Sequence, residues 1–523
     1  MESPADIIAR LTGSTPATPI TNQFQTDSFG HILPSSSHAL NIGNIPVVSD
    51  TFLFEKQQTF NRSKTTERNV HACGSGALGH FIVTHDVSDL CKADFLSNVG
   101  KQTPVFARFS TTTYGREFPD VARNIRGFAL KFYTSDGNYD LLGLNWPVFF
   151  TRDPMKGPDV IRSQTRNPAS GLLDYDAMFD YFSSNPESLH AATMHFSERG
   201  TPIGWRCLDG YGVHTYKWVN SKNEQVYVKY HWFPEEKPAR RFFTNEESLN
   251  LYSDPDFSKR DLFDHLASGK ECYWRFHLQI MTLEESKSVD FDPFDCTKVW
   301  PHSQFPLREF GRLVLNKNPE NFHRDVEQAC FNPGSMVPGI EPSPDALLQF
   351  RSIFYTDAQI HRVGTNRHQV PINCPFMAKY MSPQSRDSMM RSDSNGANLP
   401  SVMSASRSLK TDSRVDVHPQ QMVNAVMSRQ TAYKHEGQES EYNQVRELFE
   451  RVMDDRQRQQ LFINTAFYLN SASKNIQKNY LAQLKKISSE YENGVKRAMQ
   501  QSSESVKQIS EERAVEAMSA GIR

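Results

Sequence analysis

Between Arg68 and about Asn318 the chain keeps returning to a two-residue rhythm, and this limits the fold more than any other feature. Val105-Phe-Ala-Arg-Phe-Ser110, Phe128-Ala-Leu-Lys-Phe-Tyr133 and Val226-Tyr-Val-Lys-Tyr-His-Trp232 alternate apolar with polar or small side chains. Each reads as a strand with two unlike faces. Many such strands in one stretch favour a closed antiparallel sheet, because closure leaves no unpaired edge. Residues 1–67 are rich in Ser, Thr, Pro and Asn and read as an extended arm. Residues 319–436 change character, and Met381 to Pro419 is a polar run of Ser, Asn, Asp and Met with little pattern. From 437 to 503 the period turns helical. Val445, Leu448, Phe449, Val452 and Met453 form one apolar stripe, and Ile476, Leu481, Leu484, Ile487, Tyr491 and Val495 form another. Both read as packing faces of a helical bundle, followed by a polar tail over 504–523. The fold class is α+β.

Charge and motif content exclude several roles. The 523 residues carry a net charge of −2, with no basic surface to attract nucleic acid or an anionic membrane. No stretch is apolar enough to span a bilayer. The N-terminus lacks a secretory pattern, and Ala520-Gly-Ile-Arg523 is not the usual peroxisomal tripeptide, so a cytoplasmic protein is expected. Seven scattered cysteines without a C-x-x-C read as reduced thiols.

The chemistry concentrates at two places. In Arg351-Ser-Ile-Phe-Tyr355, arginine and tyrosine lie four residues apart and share a helix face. A free phenol ionises near ~10. A fixed guanidinium favours the phenolate, which can bind ferric iron. Far upstream, Arg68-Asn-Val-His71-Ala-Cys-Gly-Ser-Gly-Ala77 offers a histidine among small residues. In the strand 105–110, Arg108 and Ser110 point to the same side.

These stretches, together with Asn124-Ile-Arg-Gly-Phe-Ala-Leu-Lys-Phe-Tyr133, Val299-Trp-Pro-His302 and the run from Arg351 to Gly364, resemble the haem catalases. The resemblance runs from about Phe24 to about Met499 and fits the shorter-subunit type. It implies an antiparallel β-barrel, a segment that wraps neighbouring subunits, a homotetramer and one haem b. It makes Tyr355 the iron ligand, backed by Arg351, His214 and Asp345, with Asp345 holding Arg351. Arg68, Arg108 and Arg362 would meet the haem propionates, and Val70, Phe149 and Phe150 would border the cofactor. His71, held by Ser110, would carry a proton from one oxygen of a hydroperoxide to the other.

The departures are as informative. Where catalases carry a distal Asn in Gly-Asn-Asn-Thr-Pro, this chain reads Gly143-Leu144-Asn145-Trp146-Pro147. Leu144 takes the place of the distal Asn, and the following Pro147-Val-Phe-Phe150 fixes the register. A Phe lying against the haem edge becomes Gly157, and Trp146 replaces a small residue. A greasier, roomier pocket is expected, suited to an organic molecule. The resemblance also implies an NADPH cleft. His190, Ser197, Arg199, Val299, Trp300 and His302 match it, but Met194, Phe233 and Asp209 replace an aromatic, a lysine and an asparagine, which argues against NADPH. The expected function is a haem oxidoreductase diverged from catalase. It would use peroxide, an organic hydroperoxide or oxygen on a small apolar metabolite, in specialised-metabolite biosynthesis. A weak catalase and a non-catalytic haem protein are the alternatives.

Overall fold

The structure is a computed structural model that describes residues 24–236, 238, 241–379 and 439–501. The expected wrapping run Met381 to Pro419, the first part of the arm and the tail 504–523 lie outside the described residues.

Eight antiparallel strands close into a barrel. Strands β1 (Gly74–Val83), β2 (Gln102–Thr111), β3 (Arg126–Thr134) and β4 (Gly137–Leu144) pair in sequence. The short β5 (Gly210–Tyr211) bridges β4 to β7 (Gln225–Pro234), and β8 (Cys272–Thr282) with β9 (Arg308–Lys317) returns to β1. Strands β6 (Tyr216–Val219) and β10 (Ile340–Pro342) extend the sheet outside the closed ring.

The two-residue rhythm sorts side chains between two environments. Val105, Ala107 and Phe109 of β2, Phe128, Leu130 and Phe132 of β3, and Tyr139 and Leu141 of β4 belong to one buried core. Phe81 meets Phe132, Phe276 and Phe310 there at centroid distances of 5.3–5.7 Å. The barrel is therefore filled, and the intervening residues Arg108, Ser110, Ala129, Leu142 and Leu144 face a cavity outside its wall.

That cavity is covered by α4 (Ala346–Arg362). Asp345 starts this helix: its side chain accepts from the Leu348 N–H at 3.0 Å. Arg351, Tyr355, Ala358 and Arg362 follow at helical spacing and share the face that closes the site.

A second core joins α2 (Tyr175–Ser184) and α3 (Leu189–Phe196) to the C-terminal helices α5 (Ser440–Glu447), α6 (Asp455–Leu469) and α7 (Lys474–Ile487). Leu484, Ile487, Tyr491 and Val495 of the second stripe are buried in it. In the first stripe Val445, Phe449 and Met453 are buried, but Val452 is 67% exposed. The reason is local. After Glu447 the helix widens into a π-turn over Leu448–Val452, which shifts the period and turns Val452 outward.

Buried charge ties the two parts together. Arg152 holds Asp295 at 2.6 Å and also pairs with Glu441 at the start of α5, while Lys298 reaches Glu441 at 3.0 Å. Burial pushes the Glu441 carboxyl up, but Arg152 and Lys298 outweigh it and bring it down to about 2. The carboxyl is thus more acidic folded than unfolded. Its contribution is complete above the unfolded value near ~4.3 and is lost as pH falls toward 2. Glu441→Gln leaves buried cations short of a partner and is expected to cost about 3 kcal/mol at neutral pH. Thermal melts should show the wild-type advantage shrinking between pH 4.5 and pH 2. An unchanged gap across that range would contradict the assignment.

Candidate active site: a cavity between the barrel wall and a helix

On the helix side, hydrogen bonds fix one protonation pattern. Arg351 Nη2 donates to Tyr355 Oη at 2.8 Å, and Arg351 Nη1 donates to His214 Nε2 at 2.6 Å. A guanidinium only donates, so His214 Nε2 accepts and its proton sits on Nδ1. That proton is donated to Asp345 Oδ2 at 2.7 Å. Asp345 therefore holds Arg351 through His214 rather than directly. Burial pushes the His214 imidazole down despite Asp345. Burial also works against the charge on Arg351, but the Tyr355 oxygen outweighs it and the guanidinium stays firmly charged.

Sequence reasoning did not find Cys296, which lies with His214 and Asp345 in one buried group whose ligand atoms are within 4.8 Å of one another. The group is no metal site in this arrangement, because Arg351 occupies His214 Nε2 and Lys229 adds a second nearby cation.

On the sheet side, His71 Nδ1 lies 2.9 Å from Ser110 Oγ, which leaves Nε2 for the cavity. The backbone is pinned as well. His71 N–H donates to Thr112 O at 2.8 Å, and Arg108 Nη1 donates to His71 O at 2.8 Å. His71 adopts φ = 65°, a left-handed conformation that side chains seldom take. Burial, then Arg108, pushes its imidazole down to about 3, so it is neutral and able to accept a proton.

Gly127, another residue not singled out from sequence, makes this pose possible. A Cβ there would lie 2.6 Å from His71 Nδ1 and 2.7 Å from Ser110 Oγ. Gly127 sits opposite Ser110 on one neighbour and Leu144 on the other. The signal was present as the Gly in Arg126-Gly-Phe-Ala, but nothing local says which side chain it makes room for.

Arg68, Arg108 and Arg362 converge at one end of the cavity. Burial pushes all of them down, Arg108 to about 10, and Arg68 feels the repulsion of the other two. Their hydrogen bonds go mostly to backbone carbonyls, among them Val326, Glu327 and Ala329. Arg108 Nε is buried with no hydrogen-bond partner, and Arg68 Nη1 makes no hydrogen bond, although Glu327 Oε1 lies 3.8 Å from it. Clustered cations with spare donors fit a ligand bearing carboxylates.

Leu144 lines the cavity, and Asn145 does not. Asn145 Oδ1 accepts from Arg126 N–H at 2.8 Å, and its Nδ2 donates to Arg199 O at 2.9 Å, so its amide is committed elsewhere. Val70 lines the cavity as expected. Phe149 and Phe150 do not: Phe150 stacks on Phe182 in the helical core at 5.6 Å, and Phe149 packs beside it. Trp146 is also turned away. It is fully buried against His195, because it lies past the end of β4, where the chain enters the helical core. Gly157 does not line the cavity. It begins the short helix α1 (Gly157–Arg162), where an added Cβ would meet one atom within 4 Å, Phe350 Cε1 at 3.8 Å. Within the lining, the apolar change rests on Leu144.

Comparison with known proteins decides what this arrangement belongs to. The family model described as Catalase matches residues 26–408. The chain belongs to the catalase family. The model described as Catalase-related immune-responsive matches residues 435–499. A catalase of Methanosarcina barkeri is 42% identical over 477 residues, 91% of this chain and 94% of the relative. A peroxisomal catalase of Toxoplasma gondii is 39% identical over 91% of this chain and 94% of its own. Catalase A from Saccharomyces cerevisiae has the same fold, with a TM-score of 0.85 at 36% identity over 91% of this chain and 99% of that one. A member of the catalase family is a haem oxidoreductase acting on peroxide. Among the described residues no helix is long and apolar enough to cross a membrane.

Proposed function

We propose that this catalase-family protein has turned from disproportionating hydrogen peroxide toward using a peroxide, an organic hydroperoxide or oxygen to transform a small apolar metabolite. One observation carries the reading. Leu144 faces the cavity beside His71 and Ser110, while the neighbouring Asn145 is spent on backbone groups. A leucine side chain offers no hydrogen bond. The site keeps its proton carrier and has lost a polar group that would position a second peroxide.

Haem, when bound, supplies the redox chemistry. Tyr355 ligates its iron, with the Arg351–His214–Asp345 chain holding the phenol oxygen and favouring phenolate. Arg68, Arg108 and Arg362 take the carboxylates. His71 Nε2 takes a proton from the hydroperoxide and returns it to the departing oxygen, while Ser110 keeps the ring oriented. Leu144 presents methyl groups that an apolar substrate can contact. Hydroperoxide rearrangement, oxygen insertion and dehydrogenation all suit such a site, and a place in specialised-metabolite biosynthesis fits them.

A second reading, a true catalase of reduced rate, is favoured by the intact His71–Ser110 pair. The two separate on substrate. With equal haem loading, the diverged enzyme turns over an apolar organic hydroperoxide faster than it releases oxygen from hydrogen peroxide, and the weak catalase does the reverse. We also propose a homotetramer in the cytoplasm. Ile42, Ile45 and Val48 of the arm are 72–99% exposed in the single chain, which is costly unless a second copy covers them.

Gly127→Ala tests the role of His71 without removing it. The added methyl must push the imidazole or the Ser110 hydroxyl aside. Displacing a reacting group by about an ångström can cost ~10²-fold. Haem content should hold, while the rates of peroxide reaction and of cyanide binding, which both need a proton acceptor, fall roughly 10- to 100-fold. Wild-type rates in a fully loaded variant would show that the imidazole position is not critical.

A further inference from the structure

Between β5 and β6 the chain leaves the regular ladder. Tyr211 stands opposite His231 of β7 and Tyr216 opposite Val228, so residues 212–215 face only Lys229 and Tyr230. The surplus makes a bulge, a device that re-aims a side chain out of the sheet. Its tip is a tight turn. His214 N–H donates back to Gly212 O at 2.7 Å, and Val213 between them has φ = 64°. This is the rare, strained form of the three-residue turn, and a β-branched residue seldom takes the left-handed conformation. Such a turn persists only where its surroundings hold it. It ends on His214, whose Nε2 accepts from Arg351.

Two consecutive residues of β7 hold the turn. Tyr230 O accepts from Gly212 N–H at 2.9 Å, and Lys229 Nζ donates to Val213 O at 2.9 Å. The two side chains go to opposite faces. Tyr230 joins the barrel core, while Lys229 is buried outside it, 5.6 Å from the centre of the Trp300 ring. Val213 is buried too, so its carbonyl needs a partner, and the long lysine side chain supplies one. An ammonium is expensive to bury. Burial pushes Lys229 down, and Asp345, at the far end of the His214 chain, is the carboxylate that opposes this most. The other flank of His214 is fixed separately. Thr215 O accepts from Ser343 Oγ at 2.5 Å, and Ser343 Oγ accepts from Asp345 N–H at 3.2 Å. That leaves the Val213 flank to the lysine.

We infer that Lys229 is a positioning residue for the chain behind the iron ligand: by fixing the Val213 carbonyl it holds a strained turn and sets His214 where its Nε2 accepts from Arg351. The inference rests on the reading that Tyr355 ligates the haem iron.

Haem content, absorption and the midpoint potential of the iron test it, with Tyr355→Phe and Arg351→Ala as references. Lys229→Met keeps the length of the side chain and removes its donor. It should carry severalfold less haem than the wild type and shift the absorption toward that of Arg351→Ala. The midpoint potential should rise, because a phenol oxygen held less firmly as phenolate favours ferric iron less. Adding Val213→Gly should restore the wild-type values, since glycine takes φ = 64° without strain and the turn no longer depends on the lysine. Val228→Ala, the preceding position on β7 but facing the barrel core, should lower the melting temperature and leave the spectrum alone. Wild-type absorption in Lys229→Met, beside a changed spectrum in Tyr355→Phe, overturns the inference and leaves the ligand assignment standing. An unchanged spectrum in Tyr355→Phe overturns both. If Lys229→Met holds no haem, the double variant decides: wild-type absorption there supports the inference, and continued loss overturns it.

Discussion

Tyr355→Phe should strip haem from the protein or change its spectrum outright. The hydroxyl removed belongs to a residue lining the cavity, and it accepts a hydrogen bond from Arg351 Nη2 at 2.8 Å. Without it, the guanidinium is left buried beside an apolar ring with one donor unsatisfied, and on the proposed ligation the haem iron loses its protein ligand. Haem per chain should fall at least severalfold on purification, and any haem retained should lack the absorption of phenolate ligation. Arg351→Ala should act in the same direction with a smaller loss, because the phenol remains but nothing favours its ionised form. Asp345→Asn should be milder again, since it touches Arg351 only through the His214 ring. It also keeps an oxygen able to cap α4 at the Leu348 N–H. Haem content and absorption unchanged in Tyr355→Phe would remove Tyr355 as the ligand.

Much of this was legible in the chain, and particular residues show where legibility ends. Alternation in 105–110 and 128–133 placed Arg108 and Ser110 on one side of a strand, and they do face one cavity. The spacing of Arg351 and Tyr355 put them on one helix face, and they are bonded at 2.8 Å. Those are local rules, and local rules carry over short separations. The misplacements involve contacts far apart in sequence. Gly157 looked like a gap in the pocket wall, but it sits on a short helix outside the cavity lining, with Phe350, almost two hundred positions later, as its neighbour. Trp146 looked like a pocket residue, but past the end of β4 the wall it packs on is the helical core. Asp345 was expected to grip Arg351, and the intermediate His214 comes from the connection between β5 and β6, far away in sequence. Val452 fell out of its stripe because a π-turn adds a residue to the period, which no hydrophobic pattern announces.

Leu144→Asn carries the second large expected effect. Leu144 pairs across the sheet with Gly127, the residue that makes room for His71 and Ser110, so a side chain at 144 lies beside the proton carrier. Asparagine is similar in size to leucine and would bring a donor and an acceptor to the same place without touching α4 or the arginine cluster. Loss of one well-aimed donor commonly costs ~10² to 10³ in rate, and its return should recover a sizeable part of that. Recovery need not be complete, because the neighbouring backbone is not the one that evolved around an amide. The same substitution should weaken apolar ligands at the cavity, since it replaces methyl groups with a hydrated amide. Opposite movements in the two activities would separate a change of specificity from a general gain.

Oxygen release from hydrogen peroxide, measured per haem for the wild type and for Leu144→Asn beside an ordinary catalase, decides whether Leu144 has turned this site away from peroxide disproportionation. The wild type should fall at least ~10²-fold below the ordinary catalase, and Leu144→Asn should raise it by tenfold or more. A wild-type rate equal to that of the ordinary catalase would show that the site has not diverged from peroxide disproportionation.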